Sequence, residues 1–299
     1  MDYENLALSP ANATLYANWM EIYKRYQNVS PIKFAPITNK FRMISEVSPL
    51  YTQKDIETLN VNLLYYKSVG YDSVLVTFTR DDVPAAVLNT VKYIIKYHSL
   101  NVWLAYSGAE SLKVTSFMEP DKYTEVLTSC APYLTGYVNA WSRTSVHLWK
   151  QEPAFMNYTN YMLRLSNPNI PILGELYYGE TAKYTNEKYP YGWDTNAFTN
   201  ESGLVISNIG YTRTNFKYLF TKLLPKLTGN KDYPYVGLVI GPRPSYRSMD
   251  NLNYTSALKI KQSIENKFFE YNCVGTITLS SDGKPDGTND LTKNVYNTL

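Results

Sequence analysis

The stretch DSVLVTFTRDDVPAAVLNTVKYIIKYHSLNVWLAY, residues 72–106, decides the fold. It opens with Asp72–Thr79, where Val74, Leu75 and Val76 form an unbroken apolar run. A strand buried on both faces reads this way, because neither face offers water to a polar side chain. Beyond Asp82 the period changes: Val87, Leu88, Val91, Ile94 and Ile95 recur along one face at helical spacing. Pro84 stands near the start of that helix, where its missing N–H costs little, and Asp82 is placed to cap it. Asn101–Tyr106 then returns to strand. Strand, amphipathic helix and strand in this order predict a βαβ unit with parallel strands.

The alternation continues on both sides. Upstream, residues 11–26 put Leu15, Trp19, Ile22, Tyr23 and Tyr26 on one helical face, a leading helix within residues 1–30 placed to cover the barrel bottom. The first strand is expected at Ile32–Ile37. The first barrel helix follows Thr52, with Asp55 completing a capping box and Gly70 as the stop. Downstream come a helix over Asp121–Cys130, a strand over Leu134–Ala140, a helix over Pro153–Leu165 and a strand over Ile170–Leu176. Strand Gly203–Asn208, helix Asn215–Leu224 closed by Pro225, strand Tyr235–Ile240, helix Tyr254–Phe269 and strand Val274–Leu279 follow, with a last short helix at Leu291–Tyr296. Eight strands, nearly every one followed by a helix, imply an α/β chain closed into a single (β/α)₈ TIM barrel with an extra N-terminal helix. One domain is expected over all 299 residues. The fifth helix is the missing one; in its place 178–202 forms a long loop over the mouth, and such loops are usually functional.

Composition narrows the functions. Net charge is +3 with no basic helix face, which argues against nucleic acid. No run of eighteen apolar residues spans a membrane, and the acidic N-terminus lacks a signal-peptide core. The two cysteines, Cys130 and Cys273, are expected as separate buried thiols. With His98 and His147 the only histidines, neither a zinc site nor a Ser-His-acid set is expected. No strand carries a Schiff-base lysine, and the prolines of Gly241-Pro242-Arg243-Pro244 remove amide donors a phosphate would need. No cofactor and no metal are therefore expected. Asn12, Asn28, Asn157, Asn200 and Asn253 head N-x-S/T sequons, which an Asn- and Thr-rich chain also makes by chance. The 29 tyrosines beside low charge give a composition similar to proteins of thermoacidophilic archaea and their viruses.

In this fold chemistry sits at the C-terminal ends of the strands. Glu175, in Pro171-Ile172-Leu173-Gly174-Glu175-Leu176, is a carboxylate appearing abruptly at the exit of an apolar strand. Such a group is costly to bury unless paired or neutral, and a raised pKa would suit a general acid. The bland reading is an ion pair with Arg80, Arg143 or Arg243 that closes the mouth. Asp81 and Asp282 are the candidate partner carboxylates, though Asp81 shares a capping turn and Ser281-Asp282-Gly283 reads first as a turn. Arg80, Tyr106, Asn139, Trp141, Tyr177, Tyr178, Trp193, Asn208 and Arg243 are the candidate ligand-binding residues: flat rings stack on sugars, and Asn and Arg bond hydroxyls.

A barrel with a strand-exit Glu and an aromatic mouth resembles the glycoside-hydrolase barrels, in architecture over the whole chain and without a diagnostic motif. The resemblance implies hydrolysis of a glycosidic bond by two carboxyl groups. The chain departs from the largest such clan: Asn139-Ala140-Trp141 has alanine where an acid would end strand four, and Gly241-Pro242-Arg243 brings none after strand seven. The D-x-x-D-x-D-x-E signature of chitinases is also absent. The expectation is a carbohydrate-active barrel, outside the cell or on a virion, with Glu175 as acid and Asp81 or Asp282 opposite at a wide, inverting-type spacing. The alternative is a non-catalytic structural or receptor- and glycan-binding barrel, such as one of an archaeal virus, favoured by those missing acids.

Overall fold

A computed structural model describes residues 9–26, 28–29, 35–107, 117–139, 152–176, 202–208, 216–227, 234–239 and 254–279. The strands are β1 Phe41–Val47, β2 Ser73–Phe78, β3 Asn101–Tyr106, β4 Gly136–Asn139, β5 Ile172–Leu176, β6 Gly203–Asn208, β7 Tyr235–Val239 and β8 Gly275–Leu279. Each pairs in parallel with the next and β8 pairs with β1, so the sheet closes as an eight-stranded barrel. The helices are α1 Pro10–Tyr26, α2 Gln53–Ser68, α3 Pro84–His98, α4 Pro120–Cys130, α5 Glu152–Ser166, α6 over 216–227 and α7 Tyr254–Glu270. The chain is a (β/α)₈ TIM barrel preceded by one helix.

Alternation along the strands sorts side chains into two cores. Phe41, Met43, Leu75, Trp103, Ala105, Val138, Leu173, Val205, Val236, Leu238 and Ile277 fill the barrel. Ile44, Val74, Val76, Phe78, Leu104, Tyr106, Tyr137 and Ile172 face the helix layer. Each such aliphatic side chain, fully buried, contributes about 1.5–3 kcal/mol. Near the N-terminal end the barrel is plugged by Phe41 and Trp103, with ring centroids 5.1 Å apart. Glycines make the room: a Cβ on Gly136 would lie 2.2 Å from the Trp103 ring, and one on Gly275 would lie 2.3 Å from Phe41.

The first strand is Phe41–Val47, not Ile32–Ile37. Pro36 cannot donate to a ladder, which disfavours a central strand there. The true strand was obscured by Arg42, Ser45 and Glu46 among its apolar residues. Residues 35–38 instead run beneath the barrel: the Ala35 carbonyl accepts from Ser202 Oγ at 2.5 Å, and Ile37 packs on the interior cluster. This segment closes the bottom, the task expected of the leading helix. α1 lies outside, because its buried stripe of Leu15, Trp19 and Tyr23 meets aromatic partners on α4 and α5. Trp19 stands 5.6 Å from both Tyr123 and Phe155, and its Nε1 donates to the Met118 carbonyl at 2.9 Å.

Local signals mostly act as read. Thr52 and Asp55 form the capping box of α2, and Gly70 takes φ +97°, which a side chain would strain. α3 begins at Pro84, but Asp82 does not cap it; its Oδ2 accepts from Thr79 N at 2.7 Å and Thr79 Oγ1 at 3.0 Å. α6 passes through a π turn at Leu219–Leu223 and carries Pro225 in its last stretch, Leu224–Leu227, so Pro225 does not end it. Both cysteines are buried and free. Among the described residues no helix is long and apolar enough to cross a membrane. The expected last helix and the 178–202 loop fall outside the described residues, apart from Ser202.

Candidate functional site

The C-terminal ends of the strands form the mouth, and β5 brings Glu175 there. Its backbone pairs with Val205, an interior residue, and it follows interior Leu173 by two positions. Glu175 thus holds an inner-face register position at the end of a buried strand. Gly174, before it, pairs with Asn139 on one side and Leu204 on the other.

β1 delivers what the misplaced first strand had hidden. Its ladder with β2 matches Ile44 to Val74 but Val47 to Val76, so Ser45 and Glu46 together stand opposite interior Leu75. This is a β-bulge, a device found beside active sites, where it re-aims side chains. Ser45 is fully buried and its hydroxyl has no hydrogen-bond partner among the described residues. A buried hydroxyl without a partner costs about 1–3 kcal/mol unless water or ligand satisfies it.

The turn after β2 is exposed. Asp81 pairs with its neighbour, Arg80 Nε to Asp81 Oδ1 at 3.4 Å, and the Asp81 side chain is 86% accessible. Asp82 is fixed structurally, accepting from the Tyr51 hydroxyl at 2.7 Å, and that hydroxyl in turn accepts from Val83 N at 3.0 Å.

Two residues expected to contact ligand face the helix layer instead. Tyr106 is buried against Phe78 and Tyr123, its hydroxyl accepting from Met118 N at 2.8 Å. Asn139 is fully buried and donates to Asn160 Oδ1 at 3.0 Å. Both fall on the outward parity of their strands, so β3 and β4 offer these groups to α4 and α5. Asn208 ends β6 in register with Val239. Trp141, Tyr177, Tyr178, Trp193, Arg243 and Asp282 lie outside the described residues.

The perturbed titratable groups are packing features. Burial pushes the phenols of Tyr106, Tyr123 and Tyr137 up, and the Cys130 and Cys273 thiols up to about 12. Glu265 of α7 is fully buried behind β8 and β1; its Oε1 accepts from the Tyr71 hydroxyl and Thr278 Oγ1, each at 2.5 Å. Arg42 Nη1 stands 3.8 Å from Oε2, and burial holds the carboxyl above its ordinary range. One turn earlier, Lys261 Nζ donates to the Leu279 carbonyl at the end of β8, at 3.0 Å. His98 is pulled down by burial, its Nε2 donating to Asn60 Oδ1 at 2.7 Å. Among the described residues no three His, Cys, Asp or Glu side chains gather into a metal-binding group.

No family model matches the chain, and no curated protein matches it in sequence. Solved structures do match in shape. Endo-glycoceramidase II from Rhodococcus sp., captured as a lactosyl-enzyme intermediate, aligns at TM-score 0.50 and 14% identity over 89% of this chain and 81% of its own. Dihydropteroate synthase from Xanthomonas albilineans aligns at TM-score 0.47 and 12% identity, covering 82% and 88%. The dihydropteroate synthase of Thermus thermophilus aligns at 0.45 and 6%, covering 91% and 99%. At these identities the shared property is the barrel.

Proposed function

We propose that this chain is a single-domain, carbohydrate-active barrel that hydrolyses a glycosidic bond with Glu175 as its general acid. The observation that carries the reading is the place of Glu175: an inner-face register position at the C-terminal end of β5, where strands of this fold deliver catalytic groups. A carboxyl carried at a barrel mouth is of the type that can protonate a departing glycosidic oxygen. The structural likeness to an endoglycoceramidase is compatible with this use of the fold. Arg80, the aromatic residues Trp141, Tyr177, Tyr178 and Trp193, Asn208 and Arg243 are the proposed sugar contacts. Tyr106 and Asn139 are withdrawn from that set by their engagement in the helix layer.

The test is turnover of oligosaccharides and aryl glycosides by the wild type and by Glu175→Gln. Loss of about 10²–10⁴-fold in rate toward unactivated glycosides, with binding kept, supports the acid role. Binding without turnover in the wild type makes this a lectin-like barrel, and no binding at all leaves a structural one.

A further inference from the structure

We infer that the β1–β3 side of the barrel mouth is a subsite for a neutral hydroxylated ligand, in which Ser45 and Thr77 bond a ring hydroxyl of a sugar above a floor of Leu75 and Trp103. This deepens, and rests on, the carbohydrate reading above.

Register fixes the faces. Residues paired across a parallel ladder put their side chains on the same side of the sheet. Ser45 pairs with Leu279 of β8 and follows Met43 by two positions, and both of those pack in the barrel interior. Thr77 pairs with Ala105 of β3 and follows Leu75 by two positions, and both of those are interior as well. Ser45, Thr77 and Ala105 therefore line the inner face of three consecutive strands, each within the last three residues of its strand and so toward the mouth. One level below, Leu75 and Trp103 pair with each other, and the Trp103 ring lies against Phe41. On β4 and β5 the pairing that continues from Ala105 brings Val138 and Leu173. Small side chains on β1 to β3 leave a recess that those larger ones fill on the neighbouring strands.

The recess holds unused hydrogen-bonding groups. Ser45 is fully buried and its hydroxyl has no partner among the described residues; the buried indole N–H of Trp103 has none either. The Cε3–Cζ3–Cη2 edge of that indole lies against Gly136 of β4, which leaves the N–H on the side of the ring away from Gly136. Buried polar groups are almost always bonded, so two orphans in one barrel interior point to an occupant. Thr77 is only partly buried and marks the open side of the recess. The inner positions Met43, Ser45, Leu75, Thr77, Trp103 and Ala105 carry no charge. Phosphate or carboxylate would be buried there without a counter-charge. A sugar hydroxyl fits instead, because it donates to one oxygen while accepting from another group.

The experiment uses the full chain with methyl glucoside, galactoside, mannoside and xyloside as binding probes and the matching nitrophenyl glycosides for turnover. Affinity is read by titration calorimetry for the wild type, Ser45→Ala and Thr77→Val, with Tm measured for each. Each variant should bind the preferred probe about tenfold more weakly, with KM raised and kcat kept. One monodeoxy analogue of that probe should lose as much with the wild type and no more with the variants. Ser45→Ala should keep or raise Tm, because its hydroxyl leaves no described partner behind. Unchanged affinity in both variants, while the wild type binds or cleaves a probe, overturns the subsite and leaves the carbohydrate reading standing. A fall in Tm for Ser45→Ala with affinity unchanged does the same and makes the hydroxyl structural. A crystal structure with the sugar elsewhere and only a water on Ser45 also overturns the subsite, and a wild type that neither binds nor cleaves any probe overturns both readings.

Discussion

Replacing Glu265 by Gln isolates a fully buried acid whose neighbours are described. Glu265 Oε1 accepts from Tyr71 and Thr278, Oε2 has no hydrogen-bond partner among the described residues, and Arg42 Nη1 lies 3.8 Å away. The cationic neighbours Arg42 and Lys261 pull the carboxyl down, but burial pushes harder, so its folded pKa is raised. A raised pKa means that the protonated form is the one the fold prefers. The stability contributed is fully present below the unfolded value of about 4.3 and is lost as pH rises through the folded value. The amide of Gln imitates the protonated acid and does not titrate. Near pH 4 the variant should therefore match the wild type. At pH 8 it should be the more stable, by about 1.4 kcal/mol for each pH unit by which burial raises the folded pKa of Glu265. Urea midpoints and thermal melts at intervals from pH 4 to 9 read this directly, with each 1 kcal/mol moving Tm by about 2–4 °C. A difference independent of pH, or a wild type that gains on the variant as pH rises, would refute the reasoning; the ion pair with Arg42 would then outweigh desolvation.

Three shorter predictions follow from packing. Gly136→Ala drives a methyl into the Trp103 ring and should destabilise the barrel by at least about 1–3 kcal/mol, measured by chemical denaturation. Tyr106→Phe orphans the buried Met118 N–H and should cost about 1–3 kcal/mol of stability while leaving glycan affinity unchanged; a selective loss of affinity would return Tyr106 to the mouth. Neither Cys130 nor Cys273 should react with a thiol reagent in the native state at pH 8, because both are buried with thiol pKa values of about 12, and both should react in denaturant.

The fold was legible because its signals are local and repeat. The apolar run at Val74–Val76, the stripe Val87, Val91 and Ile94 on α3, and the Thr52–Asp55 box each specify one element, and eight strands, nearly every one followed by a helix, leave closure as the economical outcome. The error at β1 has a physical cause. A strand whose exit bears Ser45 and Glu46 around a bulge loses its alternation there, while the apolar segment near Pro36 imitates a strand and serves as a floor. Parity explains the other departures. Sequence places Tyr106 and Asn139 at strand ends but does not say which face they take until neighbours such as Ala105 and Val138 are assigned to the interior. Asp82 shows the same limit, since a cap and a turn anchor look identical until Thr79 and Tyr51 are seen to donate to it.

The most direct measurement is a crystal structure of the full chain carrying Glu175→Gln, soaked with an oligosaccharide that the wild type cleaves. The expected result is an intact ligand in the barrel mouth, its glycosidic oxygen within hydrogen-bond reach of the amide at position 175. An empty mouth, or a wild-type structure with the Glu175 carboxylate locked against an arginine and no ligand beside it, would contradict the assignment of this barrel as a glycosidase.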